Sequence, residues 1–358
     1  MPAKELALIQ RIRRAAGRGR KQARRGIGDD CAVLDIPRGH ELLVTTDFTL
    51  EDIHFRRQWH PADSVGHRSL ARGLSDIAAM GGIPRAAFLS LALPAELPQR
   101  WVDEFMAGLL KLARRYSVTL AGGDTAQSPT GILADIIVIG NVPAGKSVLR
   151  SGANVGDIVY VSGTLGASVA TLQDLRTGRK LRPSAHPRHF YPDPRIAVGQ
   201  YLREKNLASA MIDTSDGLST DLRHICEESG VGAVVEAAAL PTVQLTEEND
   251  SAVELAFRPA SKAFMISHPE RTSVREGSAF RTFTASSVAA DGGLQYALHG
   301  GEDYELLFTA PHGRRVPLTI AGTRITRIGE ITRGRQIKLL DPQGKSHPLK
   351  AGGWQHFA

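Results

Sequence analysis

The chain has 358 residues, of which 42% are hydrophobic and 23% charged, with a formal net charge of +7. That length exceeds what one hydrophobic core ordinarily holds, so two domains are expected, and the composition is that of a globular protein rather than a disordered one. No run of 18 apolar residues offers a membrane span, no apolar segment follows the N-terminus to act as a secretory signal, and the two cysteines, Cys31 and Cys226, form no CxxC pair, which argues against a disulfide framework or thiolate zinc site and predicts a reducing, cytoplasmic setting.

Residues 4–16 read as a short helix with Leu6, Ile9 and Ile12 as its apolar positions. Positive charge concentrates from there onward: Arg11, Arg13, Arg14, Arg18, Arg20, Lys21, Arg24 and Arg25 have no acidic residue among them. No aromatic residue is interleaved, which argues against a nucleic-acid arm and for a solvated segment that steers anionic ligands. GIGDDCAVLDI at 26–36 is a glycine-rich turn running into a strand. Glu41 to Thr46 reads as a buried strand that ends at Asp47, and Asp63 to Met80 as a helix closed by Gly81 and Gly82. Ala86 to Leu93 is an apolar strand and Pro98 to Tyr116 an amphipathic helix. Strands follow at 118–122 and 132–142. Pro143, Gly145, Gly152 and Gly156 then cluster and set a domain boundary near 143–156. Beyond it come a strand at 157–162, a helix through Leu172, a helix at 195–205, a strand at 209–212, a helix at 218–229, and a turn into a strand over 300–310. Residues 241–290 have weak periodicity and mixed polarity and read as an insertion or a poorly packed excursion. These runs predict two domains of α/β or α+β class, 1–145 and 146–358.

Aspartates recur in one local setting. Asp47 follows LLVTT, Asp124 follows VTLAGG and Asp213 follows SAMI, so each is expected at a strand exit where side chains from different strands converge. Asp29 and Asp30 follow GIG, Asp76 lies in GLSDIAAMGG, and Asp216 lies three residues after Asp213. Small residues surround nearly all of them, which allows close backbone approach to a phosphate. So many carboxylates would repel one another without a cation. Magnesium takes oxygen ligands and often only one or two carboxylates per ion, the rest being water and phosphate. Taken singly, Asp76 also reads as a helix cap and Asp216 as an Asx turn before Gly217. The chain has no GxxxxGK[ST] loop and no HRD or DFG set, so phosphoryl transfer here would rely on positioning and charge neutralisation without either apparatus.

The segments GIGDDCAVL (26–34), TTDFTLEDIHF (45–55), GLSDIAAMGGIP (73–84), AGGDT (121–125), LRSGANVGDIVYVSGTLG (149–166), IDTSDGLSTDL (212–222) and GGEDYELLFT (300–309) together resemble the thiamine-monophosphate kinase family. The resemblance implies an N-terminal α/β domain whose mixed sheet forms a barrel across a homodimer, and a C-terminal α+β domain. It implies ATP and thiamine monophosphate as substrates, Mg2+ as cofactor, and direct transfer without a phosphoenzyme. By motif, Asp30, Thr45, Thr46, Asp47, Asp76, Asp124, Asp213 and Asp216 would be magnesium ligands. Gly123, Asp124, Arg150 and Ser215 would contact the nucleotide, and His54, Glu302 and Trp354 the thiamine substrate. Read alone, Arg150 suits a structural salt bridge, Ser215 and Glu302 suit turns, His54 a core histidine and Trp354 a packing anchor. Two positions depart from the family pattern: Asp52 stands where a small residue is usual, and Met106 where many relatives place a tyrosine. The stretch 241–290 is longer than the family leads one to expect. Among superfamily relatives, selenophosphate synthetase would want a reactive cysteine before the first aspartate pair, and none precedes Asp29. The hydrogenase-maturation relative would want a C-terminal cysteine, where this chain has Trp354 to Ala358. An aminoimidazole ribonucleotide synthetase-like enzyme shares the fold but not the motif detail, and a non-catalytic nucleotide-binding regulator sits poorly with an intact aspartate set.

Overall fold

The computed structural model describes residues 5–16, 23–25, 33–243 and 292–354. The expected turn at 26–32, with Asp29 and Asp30, and nearly all of the expected insertion at 241–290 lie outside the described residues.

Helix α1 (Glu5–Ala16) leads to a short antiparallel pair, β1 (Ala23–Arg25) and β2 (Val33–Leu34). Then come β3 (His40–Leu50), α2 (Ala62–Ala79), β4 (Ile83–Pro94), α3 (Gln99–Arg115), β5 (Thr119–Ser128) and β6 (Leu133–Pro143). The four strands make one mixed sheet in the order β3-β6-β4-β5, with only β4 and β5 parallel. The second half contributes β7 (Ile158–Ser162), α4 (Ala167–Arg176), α5 (Pro187–Phe190), α6 (Ile196–Glu204), β8 (Ala210–Asp213), α7 (Leu218–Ser229), β9 (Gly232–Glu236), α8 (Gly292–His299), β10 (Leu306–Ala310), β11 (Thr319–Ile320), β12 (Thr323–Thr332), β13 (Ile337–Leu340) and β14 (Ser346–Pro348). Its sheet runs β14-β13-β9-β12-β7-β10-β8, with β11 hung on β12 and β13–β9 as its parallel pair. The chain is therefore mixed α/β with two mixed sheets.

Helix α2 lies between the halves and is buried along nearly its whole length. It rests on β3 and β6 on one side and meets α6 and β8 on the other. Its crossing with α3 is close enough to require glycine: a Cβ on Gly66 would sit 1.9 Å from the Phe105 carbonyl oxygen, and one on Gly108 1.8 Å from that of Asp63. One continuous core joins Leu70, Leu74 and Phe105 to Leu306 and Phe308 of the second sheet. A second core covers that sheet's other face with Leu218, Leu222 and Leu298.

Three expectations are corrected. Strand β3 is not buried on both faces in the single chain: Leu42, Val44 and Phe48 alternate along its outer face at 49%, 60% and 54% exposure. Nor does it end at Asp47, which pairs with Ile136 well inside the strand. Asp124 likewise lies inside β5 rather than at its exit. Each strand continues because its neighbour, β6 for β3 and β4 for β5, is long enough to pair with it beyond the apolar run. Asp213 is the one of the three that closes its strand. The helix after β7 runs on to Arg176, past Leu172.

Candidate active site

Alternation along β3 turns Thr45 and Asp47 toward α2, and the helix answers with Asp76. The Thr45 hydroxyl donates to the Asp76 carboxylate, and Asp47 lies close enough to Asp76 for each to feel the other's charge. From the second sheet, Asp213 reaches the same helix and accepts a hydrogen bond of 2.6 Å from the Ser75 hydroxyl. These three carboxylates are crowded and poorly solvated. Burial, then the Asp76 charge, pushes Asp47 up to about 7, and the same two causes raise Asp213 to about 7. Asp76 is raised by burial too, against the pull of Thr45, Arg150 and Arg72. Arg150 is exposed yet near enough to favour the charged forms of both Asp76 and Asp213.

A second cluster adjoins the first. Glu302 sits in the GGEDYE loop ahead of β10, with left-handed backbone at Glu302 (φ 63°) and Tyr304 (φ 52°). Such residues cost on the order of 1–3 kcal/mol each and persist only where their surroundings hold them. Here the alternate residues do the holding. The Asp303 carboxylate accepts from the backbone N–H groups of Gly166 (2.7 Å) and Ser168 (3.3 Å) at the start of α4. Glu305 is pinned by the Arg195 Nε (2.7 Å) and the Ser162 hydroxyl (2.6 Å). Glu302 is thereby thrust toward α2, where Arg68 Nη2 reaches Oε2 at 2.6 Å and Arg72 Nη1 reaches Oε1 at 3.2 Å. Burial opposes its charge, but Arg68 and Arg72 outweigh it and hold Glu302 down at about 2. Behind Arg68 lies a buried pair of histidines, His60 and His189, with their Nε2 atoms 2.9 Å apart. Arg68 donates to the His189 carbonyl at 3.0 Å and toward the His54 carbonyl at 3.4 Å.

The structure brings together Thr45, Asp47, Asp76 and Asp213, with Arg150 nearby. Thr46 is not among them: it faces the outer side of β3 and donates to Asp135 at 2.7 Å. Asp124 is exposed, accepts from the Thr125 N–H at 2.8 Å, and lies in register with Ser90, Asp135 and Phe48. By alternation that row faces the outer side of the sheet, away from Asp47. Gly123 is required where it stands, since a Cβ would come 1.9 Å from the Leu89 carbonyl oxygen. Asp76 lies inside α2, not at its cap, and the Gly217 N–H donates to the Asp221 carboxylate. Ser215 and Asp216 hold neighbouring loops by their carbonyls, accepting from Glu302 N–H (2.8 Å) and Trp354 N–H (3.0 Å). Trp354 is half exposed. His54 sits at the turn after β3 with Nδ1 accepting from the Leu50 N–H at 3.0 Å. Asp52 is exposed with φ 66°, and Met106 is buried in the core between α2 and α3. Sequence reading missed Arg68, Arg72, Ser75, His60 and His189. The signal present was Arg68, Arg72 and Asp76 at i, i+4, i+8, one stripe of a helix.

Among the described residues, no three His, Cys, Asp or Glu side chains form a ready-made metal cage. The donors are nevertheless hard oxygens, and Asp47, Asp76 and Asp213 together carry more negative charge than their neighbours offset. That fits an ion held by one or two carboxylates and completed by phosphate and water, as magnesium commonly is.

Two family descriptions match the chain: AIR synthase related protein, N-terminal domain, over residues 28–142, and AIR synthase related protein, C-terminal domain, over 154–290. The chain is 37% identical over 363 residues to a thiamine-monophosphate kinase of Salmonella typhimurium, covering 99% of this chain and 98% of the other. Among solved structures, it resembles thiamine-monophosphate kinase from Stenotrophomonas maltophilia K279a with a TM-score of 0.73 at 32% identity, covering 97% of this chain and 99% of that one. It also resembles AaThiL complexed with AMPPCP and TMP, with a TM-score of 0.69 at 29% identity, covering 100% and 99%.

Proposed function

The chain belongs to the thiamine-monophosphate kinase family, and on that premise we propose that it phosphorylates thiamine monophosphate with ATP to give thiamine diphosphate and ADP. The observation that carries this reading is the meeting, along one face of α2, of a crowded carboxylate cluster (Asp47, Asp76, Asp213) with a second, arginine-clamped carboxylate, Glu302. A solved relative holds AMPPCP, an ATP analogue, together with TMP. Two anionic ligands that must meet need a neutralising cation between them, and Asp47, Asp76 and Asp213, with Thr45 behind Asp76, would hold magnesium there. When bound, the ion would offset phosphate charge as it builds in transfer.

The acceptor phosphate oxygen attacks the γ-phosphorus in line, forming one P–O bond as the bond to the β-phosphate oxygen breaks, and ADP leaves with that electron pair. Arg150 and Ser215 would lie at the nucleotide, and His54, Glu302 and Trp354 at the thiamine moiety. Asp30 and Asp216 would join the ligand set of the ion and Gly123 the nucleotide contacts, while Thr46 and Asp124, on the outer face of the sheet, lie apart from the Asp47 cluster. The division into a nucleotide- and metal-binding unit at 1–145 and a second unit at 146–358, and a cytoplasmic setting, belong to the same proposal.

A homodimer is proposed as well. The uncovered face of β3 exposes Leu42, Val44 and Phe48 in alternation, and a sheet face of that kind is ordinarily covered. A second copy placed against it would close the mixed sheet into a shared barrel. ADP release measured with thiamine, thiamine monophosphate and no acceptor tests the function. Release that depends on thiamine monophosphate and on magnesium is expected, and release indifferent to the acceptor would overturn it.

A further inference from the structure

Arg68, Arg72 and Asp76 follow one another at four-residue spacing on α2. At 1.5 Å rise per residue the stripe is about 12 Å long, running from the Glu302 cluster to the carboxylate cluster. Arg72 occupies its middle. Its Nη1 lies 3.2 Å from Glu302 Oε1 and its Nε 3.8 Å from Asp47 Oδ1, so one guanidinium faces both clusters.

The two arginines are differently committed. Arg68 is 4% exposed and spends its donors on Glu302, the His189 carbonyl and the His54 carbonyl. Arg72 is 17% exposed, and its contact with Asp47 is beyond hydrogen-bond length. Arg68 and Arg72 share one carboxylate, Glu302, and a cation held by Asp47 and Asp76 would compete with Arg72 for its remaining negative neighbours. A guanidinium presents a planar fork of donors that matches phosphate oxygens, better than a point charge does.

Building on the proposed function, we infer that Arg72 is the residue that recognises the phosphate of the acceptor, and so distinguishes thiamine monophosphate from unphosphorylated thiamine. The acceptor lies with its cationic ring toward the Glu302 side and its phosphate over Arg72, which points the attacking oxygen along α2 toward Asp47 and Asp76. Arg68 acts through Glu302 and is a positioning residue.

The test measures binding of thiamine monophosphate and of thiamine separately, by calorimetry without nucleotide, in the wild type, Arg72→Gln and Arg72→Lys. A charge-assisted phosphate contact is worth on the order of tenfold or more in affinity. Arg72→Gln should weaken thiamine monophosphate at least that much, leave thiamine within about twofold, and so erase most of the discrimination, a loss on the scale of one such contact. Arg72→Lys should recover part of it, since the charge returns without the fork. The melting-temperature shift with Mg-ATP should persist in both variants. Equal weakening of both ligands would overturn the inference and mark Arg72 as a structural ion pair, as would unchanged affinity for thiamine monophosphate. A wild type that binds no thiamine monophosphate would overturn the proposed function and this inference together, whereas the variant results in a wild type that binds it bear on this inference alone.

Discussion

The histidine pair behind Arg68 makes a quantitative prediction. His60 is 2% exposed, faces His189, Phe190 and Arg68, and is lowered to about 4, first by burial and then by the Arg68 charge. In the unfolded chain its value returns to about 6.5. Between these values the unfolded chain accepts a proton that the folded chain resists, so stability is present above 6.5 and is lost as pH falls toward 4. At pH 5 the unfolded state has bound nearly a full proton and the folded state almost none, a difference of about 2 kcal/mol from this one residue. That is a readable share of a typical 5–15 kcal/mol stability. Urea denaturation of wild type and His60→Gln at pH 7.5 and pH 5.0 isolates it. Packing and hydrogen-bond costs of the substitution appear at both pH values and cancel in the difference, and the buried carboxylates near 7 titrate in both proteins. The wild type should lose about 2 kcal/mol more than His60→Gln across that interval. Equal losses would refute the idea that His60 is held neutral by its surroundings.

Asp47→Asn removes one charge from the crowded cluster, so the metal-free chain at pH 8 should melt at the same temperature or higher. Turnover should fall by orders of magnitude and the melting shift with Mg-ATP should shrink; a full-size shift would remove Asp47 from the ligand set. Gly123→Ala drives a methyl into the Leu89 carbonyl, so it should lower stability by about 1–3 kcal/mol or more in denaturant titration. Val44→Asp places a charge on the uncovered face of β3 and should convert a dimer to monomers in sedimentation velocity, while a dimer that survives it would shift the interface elsewhere.

Much of the fold was legible because period and punctuation agree. Helix α2 and helix α7 stand within a residue or two of where their stripes and flanking glycines set them. The ordered motifs, from TTDFTLEDIHF to GGEDYELLFT, were sufficient to indicate the family, because each pairs a carboxylate with the small residues that phosphate chemistry needs. Strand ends were not legible: apolarity stops at Thr46, but pairing continues to Leu50, since β6 offers backbone partners whatever the side chains are. For the same reason the face of each aspartate could not be read. Asp47 and Asp124 look alike in sequence, each after an apolar run, yet register turns one toward α2 and the other outward. Tertiary structure alone decided what the arginine stripe faces. Arg68 and Arg72 read as ordinary helix charges until the loop carrying Glu302, 230 residues away along the chain, is braced by Asp303 and Glu305 and pressed against them. The energy that favours that arrangement is the neutralisation of a half-buried carboxylate by two guanidiniums, an interaction that exists only once distant segments meet.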